Sequence, residues 1–133
     1  MKQDKYTKKE IQLLDIQIIA TILFIVSLFI SIILTYDEKF KLIYNKGIFT
    51  DKEANQIALF NRILVVILAL TFVYGNYQNE KIAEARNTQT KYLKLQLFSG
   101  ELSLLGAIIV LYIVYKNQQN TNFNVSDTEN PIL

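Results

Sequence analysis

The sequence predicts an all-α integral membrane protein, three transmembrane helices in an up-down-up bundle, and three observations carry that prediction. Residues 16–36, 57–77 and 95–115 are each 21 positions long and dominated by apolar side chains, the length an α-helix needs to cross ~30 Å of hydrocarbon at ~1.5 Å per residue. Charged residues form 20% of the 133-residue chain. They sit in blocks between these stretches and do not recur at the helical spacing of a water-soluble amphipathic helix. The first stretch holds no charged side chain, and the other two hold one each, Arg62 and Glu101.

The first span follows Lys2, Lys5, Lys8 and Lys9, as a signal sequence would. Its apolar run is longer than the ~7–15 residues of a signal core and ends in Leu34-Thr35-Tyr36-Asp37 without a small-residue cleavage site, so it is expected to stay as an anchor. Lys and Arg number eight in the N-terminal segment and the connection after span two, against five in the first connection and the tail, or six with Arg62. That bias predicts a cell-membrane protein with a cytoplasmic N-terminus and an outside C-terminus.

The connection between spans one and two reads as the bend of a helical hairpin extending beyond the bilayer. Gly47 suits the left-handed position that ends a helix, and Thr50 with Glu53 forms a capping box that starts the next. Helix one is then expected to run to about Lys46, with Phe40, Ile43 and Tyr44 packed against Phe49, Ala54 and Ile57. The alternative is an amphipathic piece lying on the membrane surface.

Between spans two and three, residues 79–86 favour helix, and 87–90 form the expected break. Tyr74, Tyr77 and Tyr92 fall at one predicted interface and Tyr36, Tyr112 and Tyr115 at the other, the distribution of an aromatic belt. Residues 1–116 thus form a single membrane domain, because nothing outside the spans is long enough for a second core. Residues 117–133 read as a disordered polar tail. It contains Asn124-Val125-Ser126, a sequon that matters only in a eukaryotic secretory pathway.

The polar groups within the spans are the candidate functional residues. Asp15, Arg62 and Glu101 are ionisable and lie in or at the apolar stretches, where a charge is a functional-site hypothesis by default. Each is near the N-terminal end of its own span, and helical side chains lean that way, so each is expected to snorkel to its nearest interface and set depth and register. Arg62 and Glu101 are ~13 Å apart along the membrane normal and are not expected to pair directly. Counting from span ends gives two polar layers: Glu101 with Thr71 and Thr21, and Arg62 and Asn61 with Ser31. Interhelical hydrogen bonds in such layers are worth ~0.6–2 kcal/mol each.

Small residues mark the expected packing faces: Ser27, Ser31 and Thr35 on span one, and Ser99, Ser103 and Ala107 on span three with Gly100 and Gly106 alongside. Both stripes are expected to dock on span two, the first near Arg62 and the second near Ala69 and Gly75, with self-association between chains as the second reading.

Composition restricts the chemistry. The chain has no Cys and no His, which removes thiolate nucleophiles, disulfides and the commonest metal ligand and general base. Ser99-Gly100-Glu101 lacks the spacing of a nucleophile elbow. No enzyme activity, metal, cofactor or small-molecule substrate is expected, and a net charge of +2 with basic residues at membrane ends gives no nucleic-acid footprint. The expected function is that of a small non-enzymatic protein binding a partner in the lipid bilayer, in an accessory, regulatory or immunity role. The alternatives are a self-assembling, holin-like pore and an oligomeric ion- or proton-coupled transporter using Glu101.

Overall fold

A computed structural model describes residues 5–117; the predicted tail, apart from Asn117, and the sequon lie outside them. The described chain is three helices, α1 (Lys5–Tyr44), α2 (Asp51–Ala85) and α3 (Lys91–Asn117). Each is long and apolar enough to cross a membrane. Their continuity follows from composition: the lone proline is Pro131, so nothing within the helices removes a backbone donor or clashes with the preceding turn.

The ends of the helices have identifiable causes. Asn45, at φ 56°, takes the left-handed position after α1, so the helix stops at Tyr44 and not at Lys46. Gly47 is not the left-handed residue expected from its type; its role is space. A Cβ there would lie 2.5 Å from Asp37 Oδ1 and 2.7 Å from Lys41 side-chain carbons. The start of α2 agrees with expectation, since Thr50 Oγ1 accepts from the Glu53 amide at 3.2 Å and donates to Glu53 Oε1 at 3.0 Å. At its other end Asn87 is left-handed. The Thr88 and Asn87 amides return to the carbonyls of Ala83 and Glu84, the paired closure of a Schellman motif.

The central element is α2, which packs on both α1 and α3, whereas no backbone positions of α1 and α3 lie within 8 Å of each other. Contacts between α1 and α2 run in reverse order along the two helices. Glu10 meets Arg86 at 2.6 Å, Ser27 meets Asn61, and Lys41 meets Asp51 at 2.9 Å.

The three helices converge at the end that carries the α1–α2 connection. There Leu34, Ala54, Ala58 and Val114 form a buried cluster, with Ile30, Phe49, Ile57 and Leu59 packed against it. Ile43 and Tyr44 stay exposed, so the expected packing of these two residues is absent. Tyr44 stacks on Phe40 at 5.8 Å instead. The six belt tyrosines all face outward. Lys39, Lys81 and Lys116 lie over the rings of Tyr36, Tyr77 and Tyr112, which suits rings held at a polar boundary.

Candidate functional site

Two polar constellations tie α1 to α2. In the first, Asn61 is fully buried and joins two turns of α1: Ser27 Oγ donates to its Oδ1 at 2.6 Å, and its Nδ2 donates to Ser31 Oγ at 3.0 Å. Ser31 also donates to the Ser27 carbonyl at 3.2 Å and accepts from Arg62 Nη2 at 3.4 Å. The predicted layer of Arg62, Asn61 and Ser31 is therefore assembled. Arg62, however, does not reach outward to the interface. It is 5% exposed, turned inward with Nη2 donating a hydrogen bond to the Ser31 hydroxyl.

Sequence reasoning missed the second constellation. Asp37 is 1% exposed; it accepts the Phe49 amide at 2.8 Å and pairs with Lys41 at 3.1 Å, and Lys41 also bridges to Asp51. From sequence, Asp37 and Lys41 are an ordinary exposed pair one turn apart, just past a span. The available signal was Gly47, whose missing side chain leaves the carboxylate its place.

The other predicted layer is not assembled. Thr21 and Thr71 donate to the carbonyls of Gln17 and Ile67 on their own helices, a local bond open to any Thr in a helix. Glu101 is exposed and has no hydrogen bond or ion pair with a described residue, and Asp15 is likewise exposed and without such a partner. Of the stripe on span one, Ser27 and Ser31 are buried against α2, while Thr35 is exposed and bonds back to the Ser31 carbonyl.

The second stripe has a different outcome from the one expected. Ala107 is buried, and Gly100 sits close to α2, its Cβ position 3.3 Å from Asn76 Nδ2 and 3.4 Å from Val73 Cγ2. All five, Ser99, Gly100, Ser103, Gly106 and Ala107, also line a cleft of about 730 Å³ between α1 and α3, floored by α2 residues including Arg62, Leu68 and Ala69. A Cβ at Gly106 would meet nothing within 4 Å, and the same holds at Gly75. Of the most apolar 18 residues of each helix, 22% are buried inside the chain in α1 and in α2, but only 11% in α3.

A smaller cavity of about 270 Å³ adjoins the cleft and shares Phe72, Ser99, Gly100 and Ser103 with it. Its polar lining includes Gln17, Asn76, Asn79 and Gln96. Nothing in the sequence pattern marks this group. The four carboxamides come from three helices, and only packing makes them neighbours.

Among the described residues no group of three or more Asp or Glu side chains gathers to hold a metal ion. The geometry offers two interhelical polar clusters, a cleft with one cationic side chain, and an amide-lined vestibule. No family model, curated protein or solved structure matches the chain.

Proposed function

We propose that this chain is a small non-enzymatic integral membrane protein that acts by binding another component of the membrane, in an accessory, regulatory or immunity role. Its contact surface is the cleft between α1 and α3. One observation carries this reading: at Gly106 the small-residue face of α3 borders open space instead of a neighbouring helix, with nothing within 4 Å of the Cβ position. Small side chains in membrane helices permit close approach of another chain or molecule. Ser99, Ser103 and Gly106 line the cleft, so their small size leaves room there for an occupant.

The chain in this reading crosses the membrane up-down-up, with α1 and α2 as a hairpin, the N-terminus cytoplasmic and the C-terminus outside. The reverse order of contacts along α1 and α2 supports the hairpin, and the Lys and Arg distribution supports the orientation.

Purification from native membranes in mild detergent, followed by native mass spectrometry, tests the proposal. A component other than the chain itself should remain bound to the wild type and be lost from Gly106→Leu, which fills the cleft. Bare monomer, or homo-oligomer with nothing else attached, would overturn the reading.

A second reading has its own observation. Glu101 presents a carboxylate on the exposed side of α3, and an oligomer would cover it. That favours the holin-like pore or the ion- or proton-coupled transporter.

A further inference from the structure

We infer that the amide vestibule and the cleft together form one binding site for a single phospholipid, drawn from the leaflet on the side of the α2–α3 connection. The inference rests on the reading of the cleft as a contact surface for a membrane component, and it names that component's chemistry.

The polar half comes first. Gln17 of α1, Asn76 and Asn79 of α2, and Gln96 of α3 converge on the 270 Å³ cavity. No side-chain amide of the four makes a hydrogen bond with a described residue. Each carboxamide offers two donors and an acceptor. Gln17 and Gln96 are exposed and Asn76 and Asn79 half-buried, so these groups are open to a ligand that enters the vestibule. All four lie within two residues, or ~3 Å, of a predicted span end, which is the depth of lipid ester and phosphate groups. Lys81, Lys91 and Lys94 belong to the same end of the bundle, where Arg86 is paired with Glu10, and basic residues there draw anionic phosphate.

The apolar half follows directly. Phe72, Gly100 and the two serines lead from the vestibule into the 730 Å³ cleft, whose deeper walls include Phe24, Leu28, Leu68 and Ala69. The site is therefore polar at headgroup depth and mainly apolar beyond it, with Ser27, Ser31 and Arg62 as the polar part of the deeper wall. Water satisfies only the first half, since apolar cavities stay dry. An apolar partner helix satisfies only the second, because it would press apolar side chains on four carboxamides. A phospholipid satisfies both, its phosphate and esters among the amides and an acyl chain along α3 beside Gly106.

The test uses the full chain in mild detergent, titrated with palmitoyl-oleoyl phosphatidylglycerol and read by native mass spectrometry. Diacylglycerol of the same chains and inorganic phosphate are the comparison probes. One phospholipid per chain should bind to a plateau, about tenfold more tightly than diacylglycerol, with no retained phosphate ion. Asn76→Leu combined with Gln96→Leu should weaken the phospholipid by about tenfold and leave diacylglycerol unchanged. Gly106→Leu, built into empty space and so compatible with the fold, should weaken both lipids.

Adducts that grow statistically without a plateau, or equal binding by the amide variant, would overturn the lipid site. A protein retained by the wild type without stoichiometric lipid would overturn this inference alone. Loss of every bound component would take the partner-binding reading with it.

Discussion

The two seams of this bundle are built differently. Between α1 and α2 the helices are tied at three depths: Glu10 to Arg86, Ser27 and Ser31 to Asn61, and Lys41 to Asp51 beside the buried Asp37. Between α2 and α3, no side chain of α3 forms a hydrogen bond or ion pair with another helix among the described residues. In lipid there is little hydrophobic drive to join helices, so polar bonds and close packing must hold them. The first seam uses both; the second has packing alone. The difference is one of chemistry: the α1–α2 seam is specified by polar groups as well as by packing, the α2–α3 seam by packing.

The comparison can be broken most severely at Asp37. Asp37→Ala removes the acceptor of the Phe49 amide and one carboxylate of Lys41, in a place with almost no water. Loss of a charged, buried hydrogen-bond partner costs about 3 kcal/mol. Unfolding in mixed detergent and dodecyl sulfate, followed by circular dichroism, should show that loss, with Asp15→Ala as the exposed control. An unchanged midpoint would mean that the first connection is not held by this carboxylate.

Gly100 and Gly106 sharpen the contrast within α3. Gly100→Leu places a side chain where even a Cβ is 3.3 Å from Asn76, and overpacking of this kind costs about 2 kcal/mol. Gly106→Leu enters open space and should stay within about 0.5 kcal/mol of wild type. Equal effects in the same assay would contradict the assignment of one glycine to the seam and the other to the cleft.

Asn61→Leu should cost about 1 kcal/mol, the sum of two interhelical bonds at ~0.6 kcal/mol each. Both serines can turn to carbonyls on their own helix, as Ser31 already does, which keeps the loss modest. A change above 3 kcal/mol would show that Arg62 depends on Asn61 for its position.

The sequence was informative where one side chain decides the matter. Apolar runs of 21 residues with at most one charge each located the spans, and Thr50 with Glu53 located the start of α2. The Ser31–Asn61–Arg62 layer followed from counting residues, because depth in a helix is linear in sequence. What required rotation about the helix axis was not legible. Counting put Thr21, Thr71 and Glu101 at one level, but they do not join one another. Asp37 looked exposed until Gly47 and Phe49 folded over it. The vestibule amides are spread over 80 positions, from Gln17 to Gln96, and no local pattern connects them. Arg62 was misjudged for a related reason. Counting gave its depth, but not that the Ser31 hydroxyl of α1 would face it.

The smallest expected effect on stability belongs to Glu101, and it separates the two functional readings. Its carboxylate has no hydrogen bond or ion pair with a described residue, so Glu101→Gln removes no polar bond within the described chain and should shift stability by less than about 0.5 kcal/mol. Membrane potential and dye leakage in cells expressing either chain then report on function independently of folding. On the partner-binding reading, wild type and variant both leave the potential intact, because the carboxylate lies off the cleft. Rapid depolarisation by the wild type, lost in Glu101→Gln at equal expression, would instead put this side chain on an ion path formed between copies. In that event the absence of partners inside one chain would have been the visible sign of a neighbour.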